Sequence, residues 1–178
     1  AMNSLAILAA AHALGLPVGE AAKRLSTFAA LPGRGERFTI EIGGRRVTVV
    51  DDAYNANPAS MKASLDVARE HDQSARKVLI LGDMLELGDD EVRYHRELAP
   101  AILTTKADRV LLCGPLMKSL EAELQLQAAD SRVVWYEDAQ ALRAEVLDEV
   151  SGADFVLIKS SAGTGLSEAV ALLRQQKV

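Results

Sequence analysis

The apolar positions of this chain fall into two rhythms. Four short uninterrupted runs are each bounded by polar or turn residues: Val78-Leu79-Ile80-Leu81, Val110-Leu111-Leu112-Cys113, Val133-Val134-Trp135-Tyr136 and Phe155-Val156-Leu157-Ile158. Runs of this length without polar alternation suit strands buried on both faces of a parallel sheet. Between them, apolar residues recur at helical spacing near Pro58 to Glu70, Glu91 to Leu103, Leu116 to Leu126 and Ala139 to Val150, and a last helix runs from about Leu166 to Gln175. Upstream, Phe38 to Ile42 and Arg46 to Val50 are β-branched stretches joined by Gly43-Gly44, a hairpin signal.

Strands that alternate with helices imply right-handed crossovers. The expected fold is therefore α/β: a doubly wound, mostly parallel sheet with an N-terminal hairpin strand and helices on both faces. Two short helices precede it. Asn3 stands where it can cap a helix to about Ala13, which Gly15 and Pro17 terminate, and Val18, Ala22, Leu25 and Phe28 space a second one. Leu31-Pro32-Gly33-Arg34-Gly35 breaks the periodicity, so the domain boundary is placed there, dividing residues 1–31 from 32–178.

Composition narrows the function classes. The 178 residues are 49% hydrophobic and 25% charged, ordinary for a globular chain able to bury a core without staples. The net charge of -5, with both signs interspersed and few aromatic residues, argues against nucleic acid as a partner. His12, His71 and His95 match no zinc spacing with the single cysteine, Cys113. One cysteine permits no internal disulfide and suits a reducing, cytoplasmic setting. The apolar stretch Leu5 to Leu16 is too short to span a bilayer and lacks the flanks of a signal peptide.

Ligands of doubly wound sheets bind beyond the carboxyl ends of the strands. Three such ends carry candidate chemistry. Val50 runs directly into Asp51-Asp52-Ala53-Tyr54-Asn55-Ala56-Asn57-Pro58, where Asn57 is a good N-cap and Pro58 suits the first helical turn. That loop lies at a helix N-terminus, where free N–H groups favour an anion, and its carboxylates can hold ribose hydroxyls, orient a metal's water shell or position a base. An ordinary capped turn is the competing reading for each residue taken alone. At the second end, Gly82-Asp83-Met84-Leu85-Glu86-Leu87-Gly88 offers two more carboxylates. At the third, Lys159-Ser160-Ser161-Ala162-Gly163-Thr164-Gly165 has the makings of an anion nest. No Gly-x-x-x-x-Gly-Lys-Ser/Thr phosphate loop occurs, nor any Ser-His-Asp or Cys-His nucleophile pattern, so the chain carries no complete catalytic set. A lone His95 on an amphipathic helix reads as structural.

At these same residues the sequence resembles the Mur ligases. Asp51-Asp52-Ala53-Tyr54-Asn55-Ala56-Asn57-Pro58-Ala59-Ser60-Met61 and Leu81-Gly82-Asp83-Met84-Leu85-Glu86-Leu87-Gly88 are similar to two family motifs, in order. Pro32-Gly33-Arg34 matches the Pro-Gly-Arg ahead of the family's C-terminal domain, Asn3-Ser4-Leu5-Ala6 resembles a helix closing its central domain, and His95 falls at a family histidine. The resemblance is strongest to members that add D-alanyl-D-alanine to UDP-N-acetylmuramoyl-tripeptide, rather than to muramoyl-tripeptide or folylpolyglutamate ligases, which usually carry a His in the Tyr-Asn-Ala-Asn-Pro loop. A stand-alone nucleotide-binding or interaction module is the reading from another class.

The resemblance implies a C-terminal Rossmann-like domain at 32–178, preceded by the last helices of a central ATPase domain. Its partners would be that central domain and an N-terminal UDP-substrate domain. It implies ATP and Mg²⁺ as cofactors of the full-length peptide ligase, with no turnover by this chain alone. Arg34, Asp52, Tyr54, Asn55 and Asn57 would face the nucleotide, and Asp83, Glu86 and Lys159 would lie towards the dipeptide. One loop departs from the family pattern: Lys159-Ser160-Ser161-Ala162 stands where Lys-Gly-Ser-Arg is usual.

Overall fold

The structure, a computed structural model, describes residues 2–27, 30–128 and 132–178. It divides into two compact units, Ala1–Ala30 and Leu31–Val178. In the first, α1 (Met2–Ala13) and α2 (Val18–Ser26) form a helical hairpin. Asn3 lies within α1 rather than ahead of it, and Phe28 falls outside the described residues. Among the described residues of this hairpin only Ala11 is buried, while Leu5, Ile7, Leu14, Leu16 and Val18 are exposed.

The second unit holds a six-stranded sheet in the order β1-β2-β6-β3-β4-β5. The strands are β1 (Glu36–Ile42), β2 (Arg45–Asp52), β3 (Lys77–Gly82), β4 (Arg109–Cys113), β5 (Val133–Tyr136) and β6 (Phe155–Lys159). Strands β1 and β2 pair antiparallel through Gly43-Gly44, both at positive φ as the tight hairpin requires, and every other pairing is parallel. The outer edge of β1 is partly covered by the chain's end, where the Glu41 N–H donates to the Gln176 carbonyl at 2.9 Å.

Alternation along each strand builds two cores. Val47, Val49, Val78, Ile80, Leu111, Val156 and Ile158 face α7 (Ala139–Glu149) and α8 (Ser167–Arg174), which contribute Leu142, Val146, Val170 and Leu173. Val50, Leu79, Leu81, Leu112, Phe155 and Leu157 face the other layer. That layer is α3 (Pro58–Glu70), α4 (Glu91–Arg96), α5 (Ala99–Thr104) and α6 (Met117–Ala128). Burial on both faces explains why these strands read as continuous apolar runs.

The spacing predicted one helix over Glu91 to Leu103, but the structure breaks it between Arg96 and Ala99. Pro100 has no N–H for the carbonyl of Arg96, and its ring would crowd that carbonyl, so the helix restarts with Pro100 in its first turn.

The topology decides where a ligand can sit. After β2 and after β3 the chain turns to the α3–α6 face, whereas after β6 it turns to α8 on the opposite face. Because β6 lies between β2 and β3, the chain diverges on either side of it, and crevices of this kind are the general ligand positions of wound sheets.

Candidate functional site

The first crevice, between the tips of β2 and β6, is built on register. Asp52 and Lys159 are Cα partners in the parallel pairing, so their side chains project from the same face. Lys159 Nζ donates to Asp52 Oδ2 at 2.8 Å and to the Asn55 carbonyl at 2.9 Å, and Ser64 Oγ on α3 donates to the same Oδ2 at 2.7 Å. The Lys159 side chain is 2% exposed and that of Asp52 24%. Lys159 is therefore an internal cation bound to Asp52 and the loop backbone.

Asp51, the neighbouring carboxylate, points to the other face and is buried. Its Oδ2 accepts from the Gly33 N–H at 3.1 Å and from Arg174 at 2.8 Å, and its Oδ1 accepts from the Ala53 N–H at 3.3 Å. Arg174 also forks onto Glu36, at 2.7 and 3.1 Å, and holds that carboxyl below its ordinary range. Asp51 thus straps the Pro32-Gly33-Arg34 turn onto the strand tip, aided by the Tyr54 N–H donating to the Gly33 carbonyl at 3.0 Å. Only a glycine suits position 33: φ is +73° and a Cβ there would sit 2.9 Å from that of Tyr54. The strap places the exposed Arg34 guanidinium 4.1 Å over the ring of Tyr54, itself 53% exposed.

Asn57 caps α3 as its position predicted. Its Oδ1 accepts from the Ser60 N–H at 2.8 Å, while Ser60 Oγ accepts from the Asn57 N–H at 3.0 Å, a reciprocal capping box. The Asn57 oxygen is thereby committed to the helix. Asn55 is exposed and gives its carbonyl to Lys159. The expected nucleotide residues Arg34, Asp52, Tyr54 and Asn55 are brought together, with Asn57 behind them as a support.

The second crevice, between β6 and β3, is stitched by backbone. The Ser161 N–H donates to the Asp83 carbonyl and the Leu85 N–H donates to Ser161 Oγ, both at 3.0 Å. Asp83 is turned inward: its carboxylate accepts from the Met117 and Leu116 N–H groups, at 2.9 and 3.3 Å, and so caps α6. Burial pushes the Asp83 carboxyl above its ordinary range, against the opposing pull of those two amides. Glu86 is exposed at φ +63°, with no side-chain partner among the described residues. Of the three residues expected near a dipeptide, only Glu86 presents its carboxylate to solvent there.

His95 is buried and acts on this loop from beneath. Its Nε2 accepts from the Met84 N–H at 2.9 Å and its Nδ1 donates to the Glu91 carbonyl at 2.7 Å, which defines the neutral tautomer with hydrogen on Nδ1. Cys113 is sealed at the β4 tip, where burial pushes its thiol up to about 12, so it supplies no thiolate at neutral pH. Among the described residues no group of three or more His, Cys, Asp or Glu could hold a metal, and no helix is long and apolar enough to cross a membrane. A cleft of about 610 Å³ beside α4 and α6 gathers none of the strand-tip residues, and its arginines, Arg93 and Arg96, are already paired with Asp90, Glu97 and Glu123.

Ser64 and Arg174 belong to no motif of the sequence, and Ser161 stands out there only as part of the third strand-tip loop. Ser64 had a signal: it is a polar residue in the buried stripe of Met61, Leu65 and Ala68. Ser160 carries a different one. Its buried Oγ has no hydrogen-bond partner among the described residues, at the position where the family pattern has glycine. Ser160→Ala is expected to stabilise the domain by about 1 kcal/mol, because it removes an unsatisfied buried hydroxyl. Urea denaturation would read this as a higher midpoint, and an unchanged or lower midpoint would mean that the hydroxyl is satisfied.

Comparison with known proteins bears on the same residues. Positions 33–162 match the family model described as "Mur ligase, glutamate ligase domain". The chain is 35% identical over 95% of its length to the UDP-N-acetylmuramoyl-tripeptide--D-alanyl-D-alanine ligase of Bacillus subtilis, and 29% identical over 97% to that of Escherichia coli. It spans about 36% of the length of each. Among solved structures, MurF from Acinetobacter baumannii superposes with a TM-score of 0.81 at 24% identity, covering 97% of this chain and 37% of that one. MurF from Thermotoga maritima in complex with ADP gives 0.71 at 21%, covering 95% and 36%, and so shares the fold. With the matched region running from the Pro-Gly-Arg turn through all three strand tips, the chain belongs to the Mur ligase family.

Proposed function

We propose that this chain is the C-terminal part of an ATP-dependent ligase that joins D-alanyl-D-alanine to UDP-N-acetylmuramoyl-tripeptide in cytoplasmic peptidoglycan synthesis. The observation that carries the reading is the strand-tip surface of Arg34, Asp52 and Tyr54, held by the Asp51 strap against a helix N-terminus. The named activity of the similar relatives supplies the reaction. In that reaction ATP phosphorylates the tripeptide carboxylate, and the dipeptide amine displaces phosphate from the acyl phosphate. The domain's share is positioning: Arg34 and Tyr54 offer a flat cationic stack to the nucleoside, Asp52 accepts from ribose, and the Glu86 loop borders the incoming amine. Magnesium and the phosphate-binding loop belong to other domains of the enzyme. The exposed Leu5, Ile7, Leu14 and Leu16 support reading residues 1–31 as the last helices of a central ATPase domain.

The test is phosphate release by the complete ligase with ATP, UDP-muramoyl tripeptide and D-alanyl-D-alanine. Release that depends on the dipeptide is expected, with Asp52→Ala raising the KM for ATP about tenfold through the lost charged hydrogen bond. The isolated 178-residue chain is expected to show no turnover. Dipeptide-independent release by the complete enzyme would sink the assignment.

A further inference from the structure

Resting on that reading, we infer that Ser64 and Lys159 are positioning residues that divide the Asp52 carboxylate between the protein interior and a bound ribose. They hold Oδ2, at 2.7 and 2.8 Å, and leave Oδ1 with no partner among the described residues. A carboxylate tied through one oxygen to two donors from different elements cannot rotate without breaking both bonds, so the second oxygen has a fixed direction.

Three elements meet at this point: β2 through Asp52, α3 through Ser64 and β6 through Lys159. The ammonium is sealed from solvent, and its bonds run to Asp52 and to the Asn55 carbonyl, so it acts on a ligand through these groups and not by touching it. A buried lysine needs a compensating carboxylate. Asp52 provides that charge and still reaches the surface, where it lines a pocket of about 290 Å³ with Arg34, Arg37 and Ser64 above an apolar floor of Val50 and Leu157. A neutral diol is the matching ligand group for Oδ1, since Asp52 is already charge-balanced by Lys159 and a hydroxyl adds a donor without a charge. The same bond from Lys159 to Asn55 couples the conformation of the loop to the orientation of the carboxylate.

The experiment titrates the isotopically labelled 178-residue chain with ADP and with 2′,3′-dideoxy-ADP, following the amides of residues 51–57 by NMR. The unmodified chain is expected to favour ADP by about tenfold, the worth of a hydrogen bond to a charged acceptor. Ser64→Ala is expected to cut that preference at least threefold and Ser64→Thr, which keeps the hydroxyl, to retain it. Lys159→Met is expected to abolish it, and affinity for the dideoxy nucleotide should stay constant throughout. Because Lys159→Met removes a buried charge partner and can unfold the domain, the Ser64 pair carries the test by itself. A preference for ADP that survives Ser64→Ala, or an equal loss of affinity for both nucleotides, would overturn the inference while leaving the ligase reading standing. Shifts from D-alanyl-D-alanine, but not from ADP, that vanish in Lys159→Met would overturn it in favour of a dipeptide role for that lysine. No response of residues 51–57 of the unmodified chain to ADP would overturn the nucleotide reading, and this inference with it.

Discussion

Gly114→Ala is expected to destabilise the domain by about 3–5 kcal/mol, through strain, steric overlap and a lost helix cap acting together. Gly114 follows β4 at φ +110°, where an L side chain is strained. A Cβ there would lie 2.5 Å from the Asp83 carboxyl carbon, closer than any tolerated approach. Neither side can yield cheaply. Gly114 is clamped by its N–H to the Tyr136 carbonyl at 3.0 Å and by the Trp135 indole, which donates to its own carbonyl at 2.8 Å. Asp83 is clamped by the two amides at the start of α6. Urea denaturation measures the loss, and a double-mutant cycle identifies its source. In an Asp83→Ala background the carboxylate that meets the new methyl is gone, so the cost of Gly114→Ala should fall by more than 1 kcal/mol, roughly the coupling expected of residues in contact. Strict additivity would place the cost in the backbone alone.

Arg174→Met should remove about 3 kcal/mol at neutral pH, in the range for breaking one side of a buried ion pair. The substitution leaves Asp51, 4% exposed, with only the Gly33 and Ala53 amides, and leaves Glu36 without its fork. The pH dependence separates this from a packing loss over the Phe38 ring, which Arg174 covers at 4.4 Å. Arg174 holds the Glu36 carboxyl below its ordinary value of 4.5. A carboxylate with a depressed folded-state pKa contributes stability above its unfolded pKa and loses it as pH falls through the folded one. The unmodified chain should therefore lose stability on acidification below the ordinary carboxylate range more steeply than Arg174→Met does, and the gap between them should narrow. Parallel profiles from pH 7 to pH 3 would mean that the arginine acts by packing. The same variant should free the Pro32-Gly33-Arg34 turn, visible as increased hydrogen exchange at Gly33, because the Asp51 strap is anchored by Arg174.

Much of the fold could be read along the chain because the signals involved are local. A strand buried on both faces must be apolar at every position, so β3, β4 and β6 announce themselves. Paired glycines with positive φ mark the β1–β2 hairpin, and Asn57-Pro58 marks the start of α3. The break at Pro100 was the exception. Apolar spacing continues across it, and the missing N–H was outweighed by the pattern. The first two strand tips were also legible as places where something polar happens, since Asp51-Asp52 and Gly82-Asp83 interrupt apolar runs at the ends where wound sheets bind ligands.

What each polar residue does there was settled by partners far along the chain. Asp52 meets Lys159 across 107 positions because parallel pairing sets β6 beside β2, and Asp51 meets Arg174 across 123 because α8 returns over the opposite face. Adjacent carboxylates on one strand point to opposite faces, so one supports the entry turn and the other opens to the pocket lined by Arg34 and Ser64. Asp83 looked the same as Asp52 in sequence, yet the start of α6 turns it inward as a cap. The sequence by itself determined the strands and the start of α3, through periodicity and local capping, and the family, through motifs at the strand tips. Only the tertiary structure decided which carboxylate is buried, which is shared and which is left open, because those outcomes depend on donors brought in by sheet order and register.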